Sequence, residues 1–377
     1  MANRYQTLQE NAEKIANNDS AIKKKNTCWK VASQSNSGKW YKVHIAASGM
    51  KCTCIYNQKR GVCKHAKAVE LVMLRDAKSK SNVKEEPVKL DDVKPHCPKC
   101  KESRIIKDGR RNCKRRAPTQ RYRCTKCSKR FSGEPGFSGR HHSTESILFS
   151  LVVFSMGLSP PQIALALRES MRINISHITI RRWTAHYCLL VEHYASTLNI
   201  NAGFKWSTDE KYLKIRGEKH WLFAVMDVTT RFILSWDVST TKQGYNACRL
   251  FAKAQSRAGH LPIIFVSDGL HRFKTAFCKV LKSVKVPSYH FREIHMKKER
   301  VNNNIHERFN GMIADLIGHI RGLKNANSAQ ISAFLVHYNF VRPHAGLGGI
   351  TPARAAGIHI SGMGSWRTLI NHAALAA

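Results

Sequence analysis

The sequence predicts an α/β protein whose mixed sheet occupies the C-terminal half, behind a helical segment and two small metal-binding modules. Three observations lead there. Strand-like runs Lys205–Ile215, Trp221–Asp227 and Phe232–Val238 precede a helix over Tyr245–Ala258, a buried strand over Pro262–Ser267 and a helix over Leu270–Leu281. Residues 143–200 carry apolar side chains at helical spacing. Ahead of both, cysteines fall in close pairs. With 377 residues, 42% of them hydrophobic, the chain can bury a core, which excludes wholesale disorder. A prior of roughly 150 residues per domain suggests two or three units.

The elements follow in order. Residues 1–75 open with a polar helix, Tyr5–Ala16. Two strand-like runs come next, Cys28–Ser33 and Lys39–Ile45, split by the turn residues Asn36-Ser37-Gly38. Residues 76–96, rich in Lys, Glu, Asp and Ser with Pro87 and Pro95, read as a linker. A second Cys-rich module spans 97–140. Over 141–200, Ile147, Leu148, Leu151 and Val152 fit one helix, closed by Gly157. Pro160–Glu169 fits a second, and Ser176 caps a third that turns Ile180, Trp183 and Tyr187 inward. The α/β unit covers 201–358, with further helices at Asn303–Ile320 and Ala329–Tyr338, and 359–377 reads as a tail.

Charge narrows the function. The chain has 63 Lys+Arg against 25 Asp+Glu, a formal net charge of +38, which calls for a polyanionic partner, nucleic acid first. The longest apolar run, near Ile147–Leu158, is shorter than the ~18 residues of a membrane span. No membrane partner is expected. The N-terminus has no apolar leader, so a cytoplasmic location is expected. Without an export signal, twelve cysteines point to thiols and metal ligands rather than disulfides.

The first cluster is Cys52-Thr53-Cys54 and Cys63-Lys64-His65, with eight residues between the pairs. Two close pairs of soft or borderline ligands each supply two vertices of a tetrahedron, the geometry of structural zinc. Together with its hairpin this segment resembles the SWIM zinc finger. The second cluster pairs Cys97-Pro98-Lys99-Cys100 with Cys124-Thr125-Lys126-Cys127, 23 residues apart, and resembles a zinc ribbon. Cys113 and His96 compete as ligands there, Cys113 reading better as a free loop thiol. Four protein ligands leave no open position for chemistry, so both Zn²⁺ sites are expected to be structural. Between Lys101 and Arg140, 14 Lys/Arg face only Glu102, Asp108 and Glu134. Within that stretch Arg110, Arg111, Arg115 and Arg116 suit phosphate contacts.

Ser159–His186 reads as helix, turn, helix, an arrangement that lays one helix in the major groove of double-stranded DNA. On the second helix His177, Thr179, Arg181 and Arg182 are candidates for base or phosphate contact, and Trp183 for core.

Phosphodiester cleavage develops charge on both the attacking and leaving oxygens. Two divalent metals held by carboxylates on rigid elements stabilise both. Asp209 lies within the first strand, Asp268 ends an apolar strand, and Glu307 lies early in a helix. Singly each suits a cap or a turn; in the order strand, strand, helix they suit a metal site. Asp227, before Val228-Thr229-Thr230-Arg231, reads as a turn residue, and Glu210 points to the opposite strand face from Asp209. His290 is set aside as incidental.

Residues from about 143 to 358 resemble a prokaryotic DDE-class insertion-sequence transposase of the insertion-sequence-six type. The resemblance rests on Thr208-Asp209-Glu210-Lys211-Tyr212, Val266-Ser267-Asp268-Gly269, Asn303–Gly311, and Tyr338-Asn339-Phe340-Val341-Arg342-Pro343-His344 with Thr351-Pro352-Ala353. It implies an RNase H-like fold with Asp209, Asp268 and Glu307 as catalytic triad. It also implies two Mg²⁺ ions (Mn²⁺ substituting), nicking of element ends and strand transfer, a homodimer or larger assembly on DNA, and a nucleoid location. One departure stands out: the family usually carries Lys or Arg about two turns after the Glu, and here position 314 is Ala314. That motivates the alternative of a catalytically inactive, DNA-binding regulator.

Overall fold

The structure, a computed structural model, describes all residues except 1, 26–27, 47–48, 61–62, 80–86, 94, 114–115, 133, 138–140, 269–270, 283–287, 294–303, 320–322, 324–328 and 362–363. At 2–7, 9, 19, 49, 60, 74, 77–79, 113, 116–118, 268, 292–293 and 304 it describes the backbone alone.

The N-terminal unit packs α1 (Ala2–Ala16) and α3 (Lys64–Ser79), with the short α2 (Ile55–Arg60) before α3, on a four-stranded antiparallel sheet. Its strands are β1 (Ile22–Lys25), β2 (Cys28–Ala32), β3 (Trp40–Ala46) and β4 (Gly49–Cys52), in that order. Period-two alternation sends Trp29, Val31 and Val43 inward. The β2–β3 turn falls at the expected Asn36-Ser37-Gly38, where Gly38 takes φ +81°, open to glycine at no steric cost.

The stretch expected as a linker holds a strand, β5 (Val88–Leu90). The second Cys-rich module is an antiparallel sheet of β6 (Ile105–Cys113), β7 (Arg116–Cys124) and β8 (Arg130–Ser132). Three helices follow as expected: α4 (Thr144–Ser155), α5 (Pro160–Met171) and α6 (His177–Thr197). Ser143 Oγ accepts from Ser146 N–H at 3.1 Å, Ser159 N–H donates to Gln162 Oε1 at 2.8 Å, and Ser176 Oγ accepts from Ile178 N–H at 3.2 Å. Arg172, left-handed at φ +54°, turns the chain from α5 into α6.

The central sheet comprises β9 (Lys205–Ile215), β10 (Glu218–Asp227), β11 (Ile233–Ser239), β12 (Ile264–Asp268) and β13 (Tyr289–Glu293), ordered β11-β10-β9-β12-β13. The first three pair antiparallel, and β12 runs parallel to both β9 and β13. The sheet is thus mixed, as the sequence predicted. β10 shows how both faces are filled. Phe223 and Val225 face α7 (Gly244–Ala258), α8 (His271–Ala276) and its π-helical continuation Phe277–Leu281; Leu222, Ala224 and Met226 face α9 (Asn304–His319) and α10 (Ala329–Val336). On the α9 side, Ile264 and Val266 of β12 share an apolar cluster with the N-terminal unit.

Two elements depart from expectation. β13 was not anticipated, because Tyr289-His290-Phe291-Arg292-Glu293 has too few apolar residues to read as a strand. The supposed tail 359–377 completes β14 (Ile358–Ile360), which pairs parallel with β5, and then forms α12 (Ser365–Ala376); the short α11 (Pro352–Ala355) precedes them. α12 buries Trp366, Leu369, Ile370 and Ala373 against α6, α4 and the turn Pro135–Phe137. Gly136 lies so close to Ile370 that a Cβ there would come within 2.4 Å of its Cγ2. No helix among the described residues is long and apolar enough to cross a membrane.

Leu369 is fully buried. Leu369→Ala is expected to cost about 2–5 kcal/mol in urea unfolding, the range for a truncated core leucine; a dispensable tail would give no change.

Candidate active site and metal clusters

The N-terminal cluster is assembled where β4 runs into α2 and at the start of α3. Asn57 Oδ1 accepts from Cys52 N–H at 3.0 Å and fixes the Cys-x-Cys loop. Backbone N–H groups then point at sulfur: Cys54 N to Cys52 Sγ at 3.5 Å, Asn57 N to Cys54 Sγ at 3.4 Å, and Ala66 N to Cys63 Sγ at 3.3 Å. The ligand atoms of Cys52, Cys54, Cys63 and His65 all lie within 4.8 Å of one another, and all four residues are buried. The Cys52 thiol donating to it holds the Cys63 thiol down to about 4, so a thiolate is available at neutral pH. His65 packs against Tyr41 in a tilted arrangement, ring centroids 4.7 Å apart, and its Nε2 is buried without a hydrogen-bond partner among the described residues.

The second cluster is built from two matching knuckles. Lys101 N–H donates to Cys97 O at 2.9 Å, and Ser128 N–H to Cys124 O at 3.1 Å. Each knuckle closes on a left-handed residue, Lys101 at φ +56° and Ser128 at φ +55°. The sulfurs of Cys97 and Cys127 lie 3.4 Å apart, those of Cys100 and Cys124 3.5 Å, and those of Cys100 and Cys127 3.5 Å. These are thiol separations, not disulfides, and they approach the edge of about 3.8 Å for a tetrahedron with metal–sulfur bonds near 2.3 Å. The donor sets of both clusters therefore fit a tetrahedral metal ion. His96 lies outside the four-cysteine group, and the Cys113 side chain lies outside the described residues.

At the central sheet, α9 is pinned to β9 by two side-chain pairs one turn apart. Ser207 Oγ meets His306 Nδ1 at 3.2 Å, and Asn310 Nδ2 donates to Asp209 Oδ2 at 2.8 Å. His306 is fully buried, and burial drives its imidazole down to about 3, so it stays neutral. Between these contacts Glu307 is held exposed on the helix. β12 lies beside β9 with Val266 opposite Ser207. Asp268, two residues on, therefore ends its strand at the level of Asp209; its side chain lies outside the described residues. The structure thus brings Asp209 and the helix bearing Glu307 together, level with the backbone of Asp268 at the end of β12. Sequence reading missed Ser207, His306 and Asn310. Asn310 had a signal: three residues after Glu307, it shares a helix face with it.

The rival acids have other partners. Asp227 is buried and accepts from Gly203 N–H at 2.7 Å, Thr229 N–H at 2.9 Å and Thr230 Oγ1 at 2.5 Å, as a turn residue does. Glu210, on the opposite strand face from Asp209, pairs with Lys242 at 2.6 Å. His290 sits between Phe265 and Phe277, with Nε2 2.8 Å from Ser267 Oγ.

Of the expected DNA contacts, Arg110 and Arg111 are exposed on β6, Arg115 and the side chain of Arg116 lie outside the described residues, His177, Arg181 and Arg182 are exposed on α6, and Thr179 is half-buried. Trp183 is buried, as expected.

Residues 203–343, which carry all three acids, match the family model of the DDE domain. Among curated proteins, the chain is 25% identical over 150 residues to the transposase for insertion sequence-like element IS431mec of Staphylococcus aureus, covering 40% of this chain and 64% of that protein. It is 24% identical over 135 residues to the Staphylococcus aureus transposase for insertion sequence element IS257 in transposon Tn4003, covering 36% and 58%. The chain thus spans under two thirds of the length of these relatives. Among solved structures, it resembles the HTLV-2 integrase catalytic core domain in complex with magnesium, at TM-score 0.31 and 15% identity, over 42% of this chain and 99% of that one. The simian T-cell lymphotropic virus intasome in complex with a PP2A regulatory subunit gives TM-score 0.30 and 13% identity, over 53% and 70%. The matched region contains the β9–α9 contact, the strand that carries Asp209 and the strand that ends on Asp268, but neither cysteine cluster.

Each cysteine cluster is expected to retain one divalent ion. Native mass spectrometry should find two ions per chain in these modules, falling to one in Cys63→Ser and to one in Cys124→Ser; no ion in either variant or in wild type would refute both sites.

Proposed function

We propose that this chain is a DNA transposase in which Asp209, Asp268 and Glu307 hold two Mg²⁺ ions, replaceable by Mn²⁺, for nicking of element ends and strand transfer. The observation that carries this reading is the β9–α9 contact. Asn310 docks the helix on Asp209 itself, which sets the exposed Glu307 beside a strand whose parallel neighbour ends at Asp268. The donor set suits divalent ions, being three carboxylates on rigid elements, Asp268 at the C-terminal end of its strand. Bound there, the two metals would stabilise charge on the attacking and leaving oxygens of the phosphodiester. The protein's own part is positional. Asp209 is oriented by Asn310 and by the Glu210 N–H at 2.9 Å, and His306 keeps α9 from rotating.

The surrounding modules take supporting parts. Zn²⁺ in both cysteine clusters supplies structure rather than chemistry. Arg110, Arg111, Arg115 and Arg116, with His177, Thr179, Arg181 and Arg182 on α6, contact duplex DNA at element ends. The division at 1–75, 97–140, 141–200 and 201–358 separates these roles, and work on two ends calls for a dimer or larger assembly, associated with the nucleoid.

A second reading has a specific observation behind it. Ala314 is exposed on α9 two turns beyond Glu307 and offers no charge to a phosphate, so a chain that binds DNA without cutting it is the rival. A divalent-metal-dependent nicking assay on DNA carrying the element ends separates the two. Wild type is expected to nick, and Asp268→Asn to lose at least ~100-fold in rate, the scale for removing one group that stabilises transition-state charge. DNA retention without nicking in wild type would favour the rival.

Asn310 gives a finer check. Asn310→Ala is expected to slow nicking by up to ~100-fold through misplacement of Asp209 and α9, with DNA affinity unchanged. An unaltered rate would remove the docking contact from the mechanism.

A further inference from the structure

The outward face of the N-terminal sheet carries a charge pattern that neither the cysteine cluster nor the DDE domain accounts for. Strand register puts Lys23, Lys30 and Lys42 directly beside one another on β1, β2 and β3, all exposed. Two residues along, the next row on the same face runs Lys25, Cys28, His44 and Lys51. Neither row contains an acid, and no carboxylate pairs with these lysines among the described residues.

Like charges directly opposite one another on a sheet destabilise it. Here three ammonium groups line up across strands roughly 4.8 Å apart, and the second row follows about 7 Å further along. Folding alone gives no reason for such a face. A polyanion laid across it turns the repulsion into attraction. The other face of the sheet explains how the array is held: Trp29, Val31 and Val43 are buried beneath it, and Cys52, opposite Val43, ties its edge strand to the metal cluster.

We propose that this face binds the phosphate backbone of duplex DNA without reading its sequence. The proposal rests on the reading of the chain as a DNA transposase and adds to it a contact surface outside the arginines and α6. Duplex is favoured over single-stranded DNA by the scarcity of stacking platforms. Trp40 is the one large aromatic on the face among the described residues, 37% exposed, and Lys23 Nζ already sits 5.1 Å from its ring centroid. Lysines supply point charges with no fixed fork, which suits phosphate rather than base edges.

The test uses the full-length protein and random-sequence duplex DNA, comparing wild type with Lys23→Ala/Lys30→Ala/Lys42→Ala. Each phosphate neutralised contributes about 0.9 to the slope of log K against log salt, so the triple variant should lose about 2.7. Its affinity deficit should then be about 40-fold larger at 50 mM than at 200 mM salt. Its melting temperature should equal or exceed that of wild type, since the variant relieves repulsion. An unchanged slope in the folded variant overturns the proposal, as does tighter binding of single-stranded than duplex DNA that Trp40→Ala abolishes. Element-end nicking, measured alongside, keeps the two readings apart. A lost slope without wild-type nicking sinks only the catalytic reading, and wild-type nicking with an unchanged slope in the triple variant sinks only this one.

Discussion

The docking of α9 on β9 is the contact on which the rest of the central domain depends. A strand and a helix about a hundred residues apart in sequence are joined by two polar pairs, Ser207 with His306 and Asp209 with Asn310, around an apolar cluster that includes Phe309, Ile313 and Leu213. The apolar contacts hold the helix against the sheet, but hydrophobic burial is non-directional and leaves it free to slide or turn. The hydrogen bonds remove that freedom. A buried neutral imidazole facing a buried hydroxyl specifies one rotation of the helix, since any other leaves both groups unpaired at a cost of about 1–3 kcal/mol each. Glu307 is exposed because the residue before it is buried.

On the proposed reading, metal bound in the cysteine clusters would do in the N-terminal modules what core volume does in the central domain. Among its described residues the second module has a small sheet and only Cys97 and Cys124 as buried apolar positions before Phe137. So small a core cannot meet the entropy of ordering about forty residues. Cross-linking four thiols through one ion can, because binding free energy becomes folding free energy. The N-terminal unit is less isolated. Its apolar cluster continues into Phe204, Ile263, Ile264 and Val266, so it also braces the sheet next to the strand that ends on Asp268.

What was legible in the sequence follows from how local each signal is. Strand β9 falls on the expected Lys205–Ile215, α4 and α5 fall on the expected helical runs, and α6 begins at the expected cap Ser176, because periodicity and caps are short-range. Both cysteine clusters were legible because a metal fixes its ligands' chemistry and spacing whatever the fold. The misses are long-range. β13 has two apolar-rich positions among His290, Arg292 and Glu293, and is a strand only because β12 offers it a parallel partner. α12 read as a tail because nothing within 359–377 tells that α6 and Pro135–Phe137 leave a surface for Trp366 and Ile370. At the candidate site the acids could be guessed from their places on strands and helix. The Asn310–Asp209 bond could not, since it spans 101 residues.

Charge ties the separate modules together. A net charge of +38 works against the compact state, and a protein with no need of that excess would intersperse acids among its lysines. Inside the central domain such pairing is found: Glu210 with Lys242, and Asp237 with Arg249. On the outward face of β1–β3 it is absent among the described residues, and on α6 the exposed His177, Arg181 and Arg182 stand without an acid in the helix's first turn. The two basic surfaces differ in form. A helix end presents a few side chains that fit a groove and can discriminate bases, whereas a flat lysine array offers charge without direction. On the proposed reading this divides the work: the array supplies affinity that falls steeply with salt, and α6 supplies register. Specificity then need not come from tight binding by any single module, because the array raises the local concentration of DNA at which the helix selects its site.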